Sequence, residues 1–99
     1  MEVDQETAVE DLIESLLTPT KNIVVYNDDV NTFEHVILCL IKYCRHSLEQ
    51  AEQCTHIIHN NGKCAVKSGS FNKLKPIYEA LLENGILAKI NNCAIRTSN

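Results

Sequence analysis

The feature that most limits the fold is a change of apolar period across one short polar stretch. Ile23-Val24-Val25-Tyr26 is a β-branched run of strand character, bounded by Asn22 and Asn27. Beyond Asn27-Asp28-Asp29-Val30-Asn31-Thr32 the pattern changes. Phe33, Val36, Ile37, Leu40, Ile41 and Cys44 recur at the i, i+3, i+4, i+7 spacing of a helix with one buried face. A strand running through a short loop straight into a helix fixes both ends of that loop. Asn31 is placed to cap the helix, with Glu34 three residues on to complete a capping box. Asn27, Asp28 and Asp29 therefore stand on a rigid support, a common setting for recognition.

The helical pattern breaks at Arg45-His46, and Ser47 with Gln50 predicts a second capping box. Ala51, Cys54, Thr55 and Ile58 form the inward stripe of this second helix, which Gly62 closes after Asn60-Asn61. Lys63 to Lys67, carrying Cys64, Ala65 and Val66, reads as a second strand, with Ser68-Gly69 turning the chain. A third helix holds Phe71, Leu74, Ile77, Tyr78, Leu81 and Leu82 at helical spacing and stops at Asn84-Gly85. Pro76 has two readings: past the first turn if Ser70 is the cap, or at the start of the regular helix itself. Ile86 to Ile90 reads as a third strand, and Asn91 to Asn99 is polar and expected to fray.

The order β-α-α-β-α-β predicts an α+β domain, a small three-stranded antiparallel sheet packed against three helices, with an acidic N-terminal extension. The expected boundaries are 1–20 for the extension, 21–92 for the core and 93–99 for a polar C-terminal tail. The extension has no Lys or Arg and carries Glu2, Asp4, Glu6, Glu10, Asp11 and Glu14. Val9, Leu12, Ile13, Leu16 and Leu17 keep helical spacing before Pro19, which allows a short amphipathic helix, packed on the domain or presented to a partner.

Composition excludes several classes of function. A chain of 99 residues, 44% of them hydrophobic, holds one compact domain. Its formal net charge of −4, with nine Lys and Arg scattered without a run, argues against nucleic acid as a partner. No apolar stretch is long enough to span a bilayer, and the N-terminus is acidic where a signal peptide is basic; a soluble, cytosolic protein is expected. Cys39, Cys44, Cys54, Cys64 and Cys93 lack the close Cys-x-x-Cys spacing of a zinc site and read as free thiols, three of them within helical apolar patterns. His56 and His59, three apart on one helix, permit joint metal binding but have no evident further ligands. Neither a metal nor a cofactor is expected. The glycines Gly62, Gly69 and Gly85 all fall at turns or caps, so there is no phosphate-cradling loop.

Two chemical readings of the polar loop stay open on residue types alone. Asn27, Asp28 and Asp29 are acceptor-rich and suited to a positively charged amine, or they form a turn-and-cap cluster. His59, near the end of the second helix, meets the loop if the two helices form a hairpin, or it is structural or simply exposed. A Cys-His hydrolase has little support: no Cys lies in a nucleophile motif, and so short a chain has little room for a triad, an oxyanion hole and a cleft.

Val25-Tyr26-Asn27-Asp28-Asp29, then Glu34 and Val36, and finally His59-Asn60-Asn61-Gly62-Lys63 resemble the Clp protease adaptor family, ClpS. The resemblance spans Asn22 to Val66 and rests on both motifs at the family's separation. It implies a non-catalytic adaptor that binds proteins by an exposed bulky hydrophobic N-terminal residue, an N-degron, and delivers them to a Clp AAA+ unfoldase of the ClpA or ClpC kind with its protease. By the same resemblance, Asn27, Asp28 and His59 hold the free α-amino group, with Asp29 supporting the loop. The first side chain enters a pocket of Asn31, Phe33, Val36, Thr55 and Ile58, closed by Ile86 or Leu87. Lys75 is the implied contact to the unfoldase, and the segment Met1 to Thr20 is the part engaged during delivery. Phe33 and Thr55 depart from the family's usual residues, which implies an altered preference among Leu, Phe, Tyr and Trp. Two other classes remain beside this reading: an interaction domain of similar fold, such as the ribosomal stalk protein's C-terminal domain, and a metal-binding regulator built on His56, His59 and cysteines.

Overall fold

A computed structural model describes residues 20–92. The elements are β1 (Lys21–Tyr26), α1 (Phe33–Cys44), α2 (Leu48–Asn61), β2 (Lys63–Gly69), α3 (Phe71–Glu83) and β3 (Ala88–Asn92), in the expected order. The sheet runs β2-β1-β3 and both pairings are antiparallel. The expected acidic extension and C-terminal tail, with Cys93, lie outside the described residues. None of the described helices is long and apolar enough to cross a membrane.

The central position of β1 places the polar loop. The end of β1 pairs with the starts of both neighbours, Tyr26 with Lys63 and Val25 with Ala88. The loop leaving β1 therefore emerges between the C-terminus of α2, which feeds β2, and the turn that feeds β3. Ile23 and Val25, two apart on one face of the strand, are almost wholly buried and join Leu40, Ala51, Ile58, Leu74 and Leu81 in one core cluster. All three helices contribute to that cluster, covering this face of the sheet.

β2 carries a bulge. Ile23 faces Lys67 while Val24 faces Ala65, so Val66 is the extra residue. Its carbonyl accepts a hydrogen bond from the buried His46, with Nε2 at 2.7 Å. A carbonyl only accepts, so Nε2 carries the proton. The chain reaches His46 through Arg45, which adopts the left-handed conformation at φ 61° and closes α1 without a glycine.

Several boundaries differ from the sequence reading. The cap of α1 is Thr32, whose Oγ1 accepts from the His35 N–H at 3.1 Å; Asn31 is engaged elsewhere. Ser68 and Gly69 do not turn the chain but extend β2, because they pair with Asn22 and Lys21. β3 begins at Ala88, later than expected, because Gly85 and Ile86 are held by the end of α3: their N–H groups donate to Leu82 and Leu81 at 3.0 and 2.9 Å. Asn91 and Asn92, expected to fray, pair with Asn22 and Lys21. α3 starts after the Ser70 cap and runs through Pro76, which has no N–H for the Asn72 carbonyl one turn back. Of the apolar residues at helical spacing along it, Leu74 and Leu81 are buried, whereas Phe71 and Leu82 are 43% and 42% exposed.

Candidate functional site

Backbone hydrogen bonds pin the exit of β1 on both sides. The Tyr26 N–H donates to the Leu87 carbonyl and the Asn27 N–H to the Gly62 carbonyl, both at 2.8 Å. Gly62 is the α2 C-cap at φ 94°, a conformation that suits glycine, so the cap that stops the helix also presents the carbonyl that receives the loop.

The loop then closes on Asp28. Its Oδ1 accepts from the N–H groups of Val30 and Asn31, each at 3.0 Å, and from Asn31 Nδ2 at 3.2 Å. Oδ2 accepts from Asn31 Nδ2 alone, at 3.0 Å. The Asn31 backbone N–H does most to hold the Asp28 carboxyl below its ordinary pKa, aided by the Val30 N–H and the Asn31 side chain and opposed by desolvation. The carboxylate is thus ionised at neutral pH, with one oxygen crowded by the loop and the other nearly free. The turn reading of the cluster describes these bonds: Asp28 satisfies the loop's own N–H groups, and Oδ2 keeps fewer partners than Oδ1.

Beside this carboxylate lies a cavity of about 270 Å³. Asn27, Asp28 and Asp29 border it from the loop, with His59 from the last turn of α2. Asn31 lines it from the end of the loop, Phe33, Val36, Thr55 and Ile58 from the two helices, and Ile86 and Leu87 from the turn before β3. Thr55, Ile58 and Ile86 are buried, Asn31, Phe33 and Val36 are half-buried, and Asn27, His59 and Leu87 are exposed, so the wall is apolar at depth and polar at the rim. Thr55 is satisfied within its own helix, donating Oγ1–H to the Ala51 carbonyl at 2.7 Å. The Phe33 ring rests against the His56 imidazole. Lys75 is exposed on α3 and does not border the cavity. Val25, Tyr26 and Thr32 also line the cavity and were not assigned to it from sequence. Tyr26 adjoins Asn27 and Thr32 adjoins Phe33, which was the available signal for those two.

The thiols have a different character. Cys39, Cys44, Cys54 and Cys64 are all free, and burial pushes Cys44 and Cys64 up to about 11 and Cys39 upward. Protonated thiols are poor nucleophiles and poor metal ligands. Among the described residues, no group of three or more His, Cys, Asp or Glu is arranged to hold a metal ion, so a regulator built on His56, His59 and cysteines finds no ligand set there.

Comparison with known proteins decides the family. The model of the ATP-dependent Clp protease adaptor protein ClpS matches residues 18–85. The chain belongs to the ClpS family. The ClpS adapter protein of Thermosynechococcus vestitus is 35% identical over 69 residues, covering 69% of this chain and 73% of that protein. That of Synechocystis is 32% identical over 69 residues, covering 69% of this chain and 70% of its own length. Among solved structures, Agrobacterium tumefaciens ClpS2 bound to L-phenylalaninamide shares the fold, with a TM-score of 0.66 at 18% identity over 76% of this chain and 98% of that one. As a ClpS protein, this chain is an adaptor of the Clp protease, as its sequence motifs imply. The ClpS fold accounts for the three helices on a three-stranded antiparallel sheet.

Proposed function

We propose that the cavity receives the first residue of proteins that begin with a bulky hydrophobic side chain, and that the chain delivers those proteins to a Clp AAA+ unfoldase, of the ClpA or ClpC kind, in the cytoplasm. The observation that carries this reading is the position of the Asp28 carboxylate. It is ionised and has one nearly free oxygen at the polar rim of an apolar-floored cavity.

An α-amino group with a pKa of about 8 is mostly protonated at neutral pH and has three N–H donors to place. In this reading Asp28 Oδ2 takes one through a charge-assisted bond, while the Asn27 side-chain carbonyl and an unprotonated ring nitrogen of His59 take the others. Asp29 supports the loop. The first side chain then lies among Asn31, Phe33, Val36, Thr55 and Ile58, beneath Ile86 and Leu87. An internal peptide segment has no ammonium and would leave the carboxylate uncompensated, which gives selectivity for chain ends. L-Phenylalaninamide, bound by the related ClpS2, is a ligand of this chemistry: a free α-amine carrying one bulky side chain. No step in this binding breaks or makes a covalent bond, in keeping with an adaptor rather than an enzyme.

Delivery is assigned to other parts of the chain: the acidic segment 1–20 as the element the unfoldase engages, and Lys75 on α3 as a contact to it. The test uses short peptides that differ only in their first residue, Leu, Phe, Tyr, Trp, Ile or Met, each free and acetylated, with Asp28→Ala as the control. Binding of the bulky free amines, abolished by acetylation and by the substitution, is the expected result. Equal binding of free and acetylated peptides would sink the reading. Deleting residues 1–20 is expected to leave peptide binding intact and to stop delivery.

A further inference from the structure

One side chain joins the two halves of the site. Asn31 Nδ2 lies 3.0 and 3.2 Å from the two oxygens of Asp28 and 2.8 Å from the Gly85 carbonyl. All three partners are acceptors, so the atom facing them is the nitrogen and both its hydrogens are engaged: one on the carboxylate, one on the carbonyl. Gly85, at φ 82°, closes α3 and leads directly into Ile86 and Leu87, the wall before β3. At the far end of that wall, the Leu87 carbonyl accepts from the Tyr26 N–H. The segment 85–87 is therefore tied to the loop at both ends, and the tie at its start is a single amide.

We propose that Asn31 is the positioning residue that couples amine recognition to the side-chain pocket, by holding the Asp28 carboxylate and the Ile86–Leu87 wall in one fixed relation. The inference rests on the function proposed above and goes beyond it. A first residue must reach its ammonium to Asp28 and its side chain to the wall at once, so the spacing between the two sets which first residues fit. An amide suits this position because it has two donors in one plane. A Ser or Thr hydroxyl has one proton and can serve the carboxylate or the carbonyl, not both. A carboxylate at this position would repel both. With the Asn31 tie removed, Gly85 and Ile86 stay bonded to the end of α3, and the wall's hydrogen bond to the end of β1 would be the one through Leu87.

The test compares Asn31→Ala and Asn31→Asp with the full-length wild type. The second variant keeps the shape of the side chain and reverses its hydrogen bonding. Three quantities are read: affinity for a free-amine Leu-first peptide, the NMR titration of the Asp28 carboxyl, and hydrogen exchange of the Tyr26 amide, which reports whether the wall stays docked. Both variants are expected to bind at least about tenfold more weakly, the equivalent of one lost charge-assisted hydrogen bond. The Asp28 titration is expected to move up and Tyr26 exchange to quicken, with Asn31→Asp the worse of the two. A lower melting temperature with the Asp28 titration and the Tyr26 exchange unmoved would reduce Asn31 to a stabilising residue and overturn the proposal. If the wild type binds no peptide, the adaptor reading of the cavity fails. The titration and the exchange then still decide the coupling on their own.

Discussion

The Phe33 ring meets the His56 imidazole edge-on, with ring centroids 4.8 Å apart and planes inclined at 61°. Phe33 opens α1 and lines the cavity, whereas His56 is exposed on α2, so the pair bridges the two helices at the cavity wall. Such edge-to-face contacts are worth about 0.5–1.5 kcal/mol beyond the area they bury. His56→Ala frees the ring without removing it and is expected to weaken discrimination among first residues more than affinity for the best one. Phe33→Ala removes the apolar wall itself and is expected to weaken Phe- and Leu-first peptides by about tenfold, from roughly 1–2 kcal/mol of lost apolar contact. Peptide affinities for both variants, ranked over the same set of first residues, check this. An unchanged ranking in both would show that Phe33 does not shape the pocket.

Asp28 gives the site a predictable dependence on acid. The Asn31 backbone N–H foremost holds its folded pKa below the ordinary Asp value of 3.8. A carboxyl depressed on folding contributes stability that is present in full above its unfolded pKa and is lost as pH falls through the folded one. The stability difference between wild type and Asp28→Asn is therefore expected to be constant at neutral pH and to vanish only below about pH 4. Denaturant melts of the two proteins across that range measure it. A difference that disappears near neutrality would mean that some other group is responsible.

Element order was legible because the apolar pattern changes sharply, from the continuous β-branched run Ile23–Tyr26 to the helical spacing that starts at Phe33. What local signals could not decide were choices settled by distant partners. Asn31 and Thr32 are adjacent and both can cap a helix. Asn31 is drawn away by Asp28 and by the Gly85 carbonyl, 54 residues further on, which leaves Thr32 as the cap. Ser68 and Gly69 have turn chemistry, yet pairing with β1 keeps them in the sheet. Leu81 and Leu82 both keep helical spacing, yet adjacent residues on a helix do not share a face, and it is Leu81 that is buried while Leu82 stays 42% exposed. Which residues would share one cavity came from the family resemblance, since nothing in their spacing tells that Ile86 and Leu87 return to face Phe33 and Thr55.

Ile58 belongs both to the buried core cluster and to the cavity wall, whereas Leu40 is wholly buried in the core and does not touch the cavity. The two residues therefore separate folding from recognition. Leu40→Ala is expected to cost about 2–5 kcal/mol of stability, the usual range for a buried Leu truncated to Ala. Affinity measured on the folded protein at low temperature should stay at the wild-type value. Ile58→Val removes one methylene and is expected to cost only about 1 kcal/mol in stability. Yet it should weaken a Leu-first peptide by about three- to fourfold, because the lost contact of about 0.8 kcal/mol is shared with the bound side chain. Thermal melts and peptide titrations on both variants give the two numbers side by side. If Leu40→Ala lowered affinity as much as Ile58→Val, the pocket would be a property of overall core packing rather than of the residues that line it.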